Sequence, residues 1–207
     1  MYQKFFKRLL DILFSLICLS ILWPVLLVLT LTGAAIMKGN PFFLQMRPGK
    51  QEKAFYLLKF RTMDNRKDTD GNLLPDAQRL NAYGKFLRAT SLDELPELVN
   101  ILLGQMSFVG PRPLLMQYLT LYNAHQRKRH TVLPGLTGLA QVSGRNALSW
   151  EERFDLDVWY TEHLSFRTDL RILWDTIGVV FTQRGIHSNT SATIEPFTGS
   201  EEKEVSQ

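Results

Sequence analysis

An uncharged segment near the N-terminus limits the folds open to this chain. From Ile12 to Met37 the sequence has 26 consecutive residues without a charged side chain, and Leu, Ile, Val and Phe dominate them. As an α-helix the segment would extend about 39 Å, more than the roughly 30 Å of a bilayer hydrocarbon core. It is also too long for the apolar part of a cleaved signal peptide, although Gly33, Ala34 and Ala35 could mimic a cleavage site. The segment therefore predicts a membrane anchor over residues 1–37.

Two membrane topologies are open to this anchor: a single crossing, and a re-entrant helix that enters and leaves by the same face. Pro24 lies near the middle, leaves the carbonyl of Ser20 without a backbone donor and favours a kink. The halves on either side, about 12 and 13 residues, are too short to cross alone. Proline also occurs in spanning helices, so the proline alone does not decide.

The charges that flank the anchor favour the re-entrant topology. Basic residues lie on both sides, and they are Lys4, Lys7, Arg8, Lys38, Arg47, Lys50 and Lys53. Positive residues concentrate on the cytoplasmic side of a membrane, so both ends of the anchor are expected in the cytoplasm. We therefore predict a re-entrant helix broken at Ser20 and Pro24.

The remainder of the chain is nearly neutral. The whole chain has 24 Lys+Arg against 20 Asp+Glu, a net charge of +4. From Lys38 onwards the balance is 21 to 19, a net charge of +2. Domains that bind nucleic acid usually have a much larger basic excess, so we expect no nucleic-acid partner. The single cysteine, Cys18, excludes a disulfide scaffold and favours the reducing side of a membrane.

Local patterns predict a mainly helical α+β domain over residues 38–186, followed by a flexible polar tail over 187–207. The aromatic and apolar run 54–63 predicts a strand. Helices are expected over 80–87, 96–103, 114–129, 149–163 and 166–184, and loops over 64–76, 107–113 and 133–145. Ser149 and Glu152 form a capping box that opens the fourth of these helices. The last is amphipathic, with one apolar face formed by Phe166, Leu170, Leu173, Trp174, Ile177, Val180 and Phe181.

Two adjacent carboxylates, Asp93 and Glu94, are candidates for chemistry. Ser91 and Glu94 also match a capping box, which would give the pair a structural role. If the helix instead begins near Pro96, both carboxylates lie at its positive end, where ionised Asp93 suits a nucleophile or a metal ligand. Because neighbouring carboxylates repel each other, we expect a cation between them or one raised pKa.

Several basic residues lie where the backbone could hold them rigidly, on the predicted strand, before the acidic pair, between two prolines and after a glycine-rich loop. They are Lys59, Arg61, Arg88, Arg112 and Arg145. A rigidly held arginine can grip phosphate oxygens with two parallel hydrogen bonds. The loop before the last of them could also turn backbone N–H groups towards an anion. A plain surface cation is the alternative for each.

Asp157 is an acid within an apolar stripe. On a helical wheel it falls beside Phe154 and Val158. A buried acid needs a partner, which could be an arginine or a metal. A structural salt bridge and a place in the substrate-binding site both stay open for Asp157.

A basic cluster, Arg127 to Arg129 with His125 and His130 beside it, could attract anionic lipid head groups next to a membrane anchor. The histidines lack the neighbouring ligands of a metal site. The sequence has no G-x-S-x-G and no Walker loop, which excludes the usual hydrolase triad and P-loop classes.

Three motifs in this order resemble those of bacterial sugar transferases, the monotopic phosphoglycosyl transferases. They are KFRTM at 59–63, RATSLDELPELVNILLGQMSFVGPRP at 88–113 and PGLTGLAQVSGR at 134–145. The resemblance extends from the basic N-terminus to about residue 199. In its small size the chain is similar to the members that start protein N-glycan assembly by transferring phospho-bacillosamine.

The resemblance implies that a UDP-sugar gives its sugar-1-phosphate to polyprenyl phosphate, with release of UMP. The Asp-Glu dyad of the family matches Asp93 and Glu94; the aspartate attacks the β-phosphorus, and Mg²⁺ assists beside it. Arg88, Arg112 and Arg145 are implied as phosphate or nucleotide contacts.

The resemblance also implies a re-entrant anchor among membrane lipids at the cytoplasmic face of the bacterial inner membrane. The break in that anchor matches the surroundings of Pro24, although Trp23 stands where some relatives have serine. Two other functions stay open. A non-enzymatic adaptor would bind anionic lipids through the basic cluster, and an ordinary glycosyltransferase would pass on only the sugar and release UDP.

Overall fold

A long helix leads the computed structural model, which describes residues 2–144, 147–182 and 196–199. After a π-helical turn at Tyr2–Phe6, helix α1 runs from Lys7–Met37 and ends at Lys38, whose φ is 51°. Within the described residues it is the helix long and apolar enough to cross a membrane.

Pro24 lies inside α1, and the helix is continuous through it. The predicted division into two helices at Ser20 and Pro24 is therefore not found. A proline removes a single backbone donor, and the turns on either side keep theirs. The side on which each end of the helix leaves the membrane stays a prediction.

One face of α1 packs on the rest of the protein from the first turn to the last. Buried positions recur every four residues in two groups, Lys7, Asp11 and Ser15 near the start and Leu29, Gly33 and Met37 near the end. Near the start, Arg8 donates to the carbonyls of Ile101 and Leu102, at 2.6 and 2.8 Å. Further along, the Tyr83 hydroxyl donates to the carbonyl of Leu29 at 2.8 Å. The other faces of the helix carry exposed apolar side chains, including Trp23.

A β-hairpin follows the anchor. Strand β1, Phe42–Pro48, pairs antiparallel with β2, Ala54–Phe60, and Phe42 lies opposite Phe60. The inward residues of β2, Phe55 and Leu57, join Leu98, Ile101 and Met106 in one core cluster. The strand predicted over 54–63 is confirmed, although it ends three residues earlier, whereas β1 was not predicted.

Short helices fill the middle of the chain. They are α2 (Asp76–Arg79), α3 (Ala82–Thr90), a 3₁₀ turn (Leu92–Glu94) and α4 (Glu97–Leu102). Gly104, with a φ of 82°, follows α4, as expected of a glycine that ends a helix. The polar segment predicted as a loop over 64–76 is a loop up to residue 75, after which α2 begins.

A two-stranded parallel pair joins distant segments. Strand β3, Ser107–Val109, lies beside β4, Gly135–Thr137, so two predicted loops each contain a strand. The single helix predicted over 114–129 is wrong: the chain forms a 3₁₀ helix (Met116–Thr120), α5 (Ala124–Arg127) and a second 3₁₀ helix (Lys128–Thr131). The cause is Asn123, whose side chain caps a new helix by accepting a hydrogen bond from the N–H of Gln126.

The last helices agree with the prediction. After α6 (Leu139–Ser143), helix α7 spans Trp150–Glu162 behind the predicted capping box, and α8 spans Phe166–Thr182. The described apolar residues on the outer face of α8 are exposed, and Trp174 is 75% exposed. The architecture is a mainly helical α+β fold with an apolar N-terminal helix, as predicted.

Candidate active site

The adjacent acids lie in the 3₁₀ turn between α3 and α4. Ser91 adopts a left-handed conformation and makes no side-chain cap bond to this turn, so the predicted capping box with Glu94 does not form. Ser91 instead ends α3, its N–H pointing to the carbonyls of Arg88 and Leu87. Helix α4 begins at Glu97, close to the proline-led start that was the alternative. The two carboxylates are thus not used to cap the backbone.

Glu94 is held by two cations. Its Oε1 accepts hydrogen bonds from Lys59 Nζ and Arg112 Nη2, each at 2.6 Å. Burial alone would raise the pKa of Glu94, but Arg112 and Lys59 lower that pKa by more, well below its ordinary value. In return, Glu94 raises the pKa of Arg112. Glu94 is therefore a fixed negative charge that joins β2 to the segment after β3.

Asp93 has the opposite environment. Its pKa is raised to about 6, first by burial and then by the charge of Glu94, while Lys59, Arg112 and Arg88 act against the rise. No hydrogen bond or ion pair joins the Asp93 carboxylate to another residue that the structure describes. Of the two outcomes anticipated for these repelling acids, the raised pKa is found on Asp93, whereas the cations contact Glu94 and do not lie between the two carboxylates.

A third acid, Glu97, lies beside the pair and was not predicted. It is buried, and its Oε1 lies 3.0 Å from Lys59 Nζ without accepting a hydrogen bond in good geometry. Burial and then the charge of Glu94 raise the pKa of Glu97 to about 7. The sequence signal was its spacing from Glu94, since residues three apart lie on the same side of a helical turn.

A cleft of about 180 Å³ is lined by Glu97 and by Lys59 and Arg112, the two cations that hold Glu94. Its walls combine cationic, acidic, apolar and aromatic side chains, and they are Arg47, Leu57, Lys59, Glu97, Arg112, Pro113, Leu114, Leu115, Tyr118 and Trp150. Arg47 was predicted only as a charge flanking the anchor. Its Nε is buried without a hydrogen-bond partner, and burial followed by Arg112 lowers its pKa to about 10. Arg47 is therefore a cation with unused donor capacity in the cleft.

Asp157 lies behind the cleft. It is buried and accepts a 2.7 Å hydrogen bond from Arg129 Nη2, which settles its partner as an arginine. The same Nη2 donates to the main-chain carbonyl of Arg112, also at 2.7 Å. Asp157 does not line the cleft, and through Arg129 it supports the backbone at Arg112.

Two predicted phosphate contacts remain, Arg88 and Arg145. Arg88 donates from Nε to Thr62 Oγ1 at 3.0 Å and acts electrostatically on Asp93, so it lies with the acids. Arg145 lies outside the described residues. Lys59, Arg88 and Arg112 are thus brought together around the acidic pair.

Of the two adjacent acids, Asp93 has a carboxylate that is free to bind a magnesium ion. In the described ranges no group of three or more His, Cys, Asp or Glu side chains is arranged to hold a metal. Mg²⁺ needs no such cage, since it commonly binds one or two carboxylates and completes its shell with water and substrate phosphates. Asp93 fits this role because its carboxylate is unpartnered, whereas Glu94 is already engaged. A site in which Asp93 contacts Mg²⁺ stays a prediction.

The basic cluster is paired with acids. Arg127 contacts Glu52 at 2.7 Å, and Lys128 contacts Glu162 at 3.2 Å. Arg129 is buried against Asp157. These acids offset much of the positive charge that the adaptor hypothesis required.

Comparison with known proteins agrees with the motifs. A family model described as bacterial sugar transferase matches residues 2–183. The uncharacterized sugar transferase EpsL of Bacillus subtilis is 50% identical over 198 residues, which cover 94% of this chain and 96% of EpsL. The exopolysaccharide production protein ExoY of Rhizobium meliloti is 36% identical over 196 residues, 86% of this chain and 87% of ExoY.

A third relative carries a name that states a reaction. The UDP-glucose:undecaprenyl-phosphate glucose-1-phosphate transferase of Klebsiella pneumoniae is 39% identical over 183 residues. The match covers 83% of this chain but 39% of that relative, whereas it covers most of EpsL and ExoY.

Proposed function

Since this chain belongs to the bacterial sugar transferase family, we propose that it is a phosphoglycosyl transferase. It moves a sugar-1-phosphate from a UDP-sugar to polyprenyl phosphate and releases UMP, which would be the first membrane step of glycan assembly. The observation that carries the proposal is the contrast within the acidic pair: Glu94 is clamped by two cations, and Asp93 beside it has no partner among the described residues.

The cleft suits the two parts of a nucleoside diphosphate sugar. Arg47, Lys59 and Arg112 supply positive charge for the pyrophosphate, and Arg47 has a buried donor to spare. Tyr118 and Trp150 supply aromatic surface for a base. Charge-assisted hydrogen bonds to phosphate are stronger than neutral ones, and aromatic rings stack well on bases.

Asp93 acts as the nucleophile. One of its carboxylate oxygens attacks the β-phosphorus, forms a new O–P bond and breaks the bond to the bridging oxygen, which leaves with UMP. A phosphate oxygen of polyprenyl phosphate then attacks the same phosphorus and breaks the Asp93 O–P bond, so the carboxylate is regenerated. Both steps need oxygens in line across phosphorus and positive charge around it.

Glu94 positions the cations and leaves the attack to Asp93. By holding Lys59 and Arg112 at 2.6 Å each, Glu94 fixes two positive groups beside the reacting phosphate. When bound, Mg²⁺ would neutralise further negative charge on the phosphates. Asp93 would contribute a ligand to it.

The exposed apolar surfaces support the membrane position that we propose. The outer faces of α1 and α8 carry exposed large apolar side chains, and Tyr2 beside α1 contacts Phe166 of α8 at 5.8 Å between ring centroids. We place these faces among membrane lipids at the cytoplasmic face of the bacterial inner membrane. A soluble donor and a polyprenyl acceptor can meet there.

The released nucleotide tests this function. Purified protein in lipid nanodiscs is incubated with a UDP-sugar panel that includes UDP-glucose and UDP-galactose, undecaprenyl phosphate and Mg²⁺, and the nucleotides are separated by chromatography. We expect UMP, and no UMP from Asp93→Asn. Release of UDP would indicate an ordinary glycosyltransferase, and absence of any nucleotide product across the panel would favour the adaptor.

The covalent step has its own assay. Without acceptor, donor labelled in the sugar should leave label on the wild-type protein, and a chase with undecaprenyl phosphate should remove it. Peptide mapping is expected to place the label at Asp93. Label that survives Asp93→Asn would rule out this nucleophile.

A further inference from the structure

Phe197 is buried although it belongs to the tail predicted to be flexible. It is 3% exposed, and its ring contacts the rings of Tyr118, Tyr122, Trp150 and Phe154 at centroid distances of 5.7, 5.9, 5.6 and 5.0 Å. Its main-chain N–H donates to the Tyr118 hydroxyl at 3.2 Å. The Phe197 side chain is therefore packed on the domain, whereas Pro196 and Thr198 on either side of it are exposed.

The aromatic cluster around Phe197 lies directly behind one wall of the cleft. Tyr118 and Trp150 contact Phe197 and also line the cleft. Leu114 and Leu115 likewise belong to both the cluster and the cleft. Phe197 itself does not line the cleft, so it can act on a ligand only through these residues.

Phe197 joins two elements that are far apart in sequence. Tyr118 lies in the 3₁₀ helix Met116–Thr120, and Trp150 is the first residue of α7. Their rings meet edge to face, 5.6 Å apart, and Phe197 touches both. Close-packed aromatic clusters resist shape change, so a missing ring would let these two side chains shift.

We propose that Phe197 is a positioning residue for the donor nucleotide: it holds Tyr118 and Trp150 in the orientation that forms the aromatic wall of the cleft. The proposal rests on the proposed function, because it takes the cleft to be the donor site. In this proposal Phe197 contributes to binding of the donor and does not take part in the chemical step.

The test compares variants of the full chain in nanodiscs. Binding of UDP is measured by calorimetry, and KM and kcat are measured for the UDP-sugar that the wild type uses. For Phe197→Ala we expect UDP to bind about tenfold more weakly and KM to rise by a similar factor, with kcat changed by less than about twofold, since binding is lost equally in ground and transition states. Phe197→Leu, which refills part of the volume, should recover part of the affinity.

Two controls separate positioning from stability. Thr198→Ala changes the exposed neighbour in the same segment and should bind UDP as the wild type does. Ile172→Ala opens a cavity in a different buried cluster and should lower the melting temperature without weakening the binding of UDP.

Each outcome is decisive. A tenfold weaker UDP affinity confined to the Phe197 variants supports the proposal. Equal affinity in Phe197→Ala and the wild type overturns it, and so does an equal loss in Ile172→Ala, which would show a general effect of destabilisation. A wild type that releases UMP from no UDP-sugar and does not bind UDP overturns the proposed function together with this one, a result distinct from an unaffected Phe197→Ala.

Discussion

Asp93 and Glu94 are neighbours in sequence, yet their surroundings shift their pKa values in opposite directions. Burial and the charge of Glu94 raise the pKa of Asp93 to about 6, and two cations lower the pKa of Glu94. Acids whose environments separate their pKa values in this way commonly have different tasks. Here the fixed charge belongs to Glu94 and the free carboxylate to Asp93.

The acidic limb of the pH–rate profile should depend on Glu94. As the proposed nucleophile, Asp93 would attack only when deprotonated, so kcat/KM should rise as the pH passes about 6. In Glu94→Gln a negative charge that raises the Asp93 pKa is gone and Lys59 and Arg112 lose their acid, so the midpoint should move to lower pH. The rate at neutral pH should fall about 10- to 100-fold because both cations lose their position.

This profile is measured as kcat/KM for the donor between about pH 5 and about pH 8, where carboxylate titration at the site would be seen. Glu162→Gln removes an exposed acid that is paired with Lys128 and should leave the midpoint in place. If the midpoint of the pH–rate profile in Glu94→Gln is unchanged or lies at higher pH, the result contradicts the coupling between the two acids.

Asp93 should reduce the stability of the folded protein at neutral pH. Its folded pKa of about 6 lies above its ordinary value of 3.8, so above about pH 6 the folded state holds a poorly solvated charge. As the pH falls through 6 towards 4, the folded state takes up a proton before the unfolded state does, and this penalty disappears. Asp93→Asn should therefore raise the free energy of unfolding by about 1–2 kcal/mol at pH above about 7, allowing for partial exposure.

Thermal unfolding followed at several pH values tests this difference. The gain in Asp93→Asn should shrink towards zero as the pH falls to about 4, the ordinary pKa of the group. A variant that is less stable than the wild type at neutral pH would show that Asp93 has a stabilising partner.

At the scale of elements, α7 supports the segment that carries Arg112. Asp157 on α7 holds Arg129, and Arg129 holds the carbonyl of Arg112. Asp157→Asn would leave the buried Arg129 without its countercharge. Removing one partner of a buried ion pair costs about 3–5 kcal/mol, so we expect a loss of that size in the free energy of unfolding. Transferase activity should fall as well, because Arg112 is no longer held.

The matched control lies on the same helix. Asp155→Asn alters a side chain that is 71% exposed and pairs with His125, and exposed pairs contribute about 1 kcal/mol or less. Chemical denaturation of both variants measures the loss in the free energy of unfolding that each substitution causes. Similar losses in Asp155→Asn and Asp157→Asn would show that the buried pair has no special role.

Elements defined by local signals were predictable, and those defined by distant partners were not. The capping box at Ser149 and Glu152 correctly located α7, and helical periodicity located α8. Strand β3 pairs with β4 across a long stretch of intervening chain, and neither is long enough to show a strand pattern. The requirement of Asp157 for a partner could be deduced from the apolar stripe. That the partner is Arg129 depends on how α7 packs against the 3₁₀ helix Lys128–Thr131.

At the scale of the whole molecule, α1 lies along the domain. Lys7 near its start contacts Asp169 at 2.6 Å, and at its end the Asn81 side chain lies 3.8 Å from the sulfur of Met37. A helix rises about 1.5 Å per residue. If α1 crossed a bilayer alone, its far end would therefore lose contact with a domain that stays in water on one side. Contact at both ends with the same domain therefore favours both ends on one side of the membrane.

Cysteine labelling in cells tests this topology. In a Cys18→Ser background, single cysteines replace the exposed residues Gln3 and Gly39, which flank α1. A membrane-impermeant maleimide should label neither site in cells whose outer membrane alone is permeabilised, and both sites in inverted inner-membrane vesicles, because we place both ends in the cytoplasm. Labelling of one site from each side would establish a single crossing. The contacts along α1 would then have to open in the membrane, and the rest of the protein would lose its packing against Lys7 and Met37.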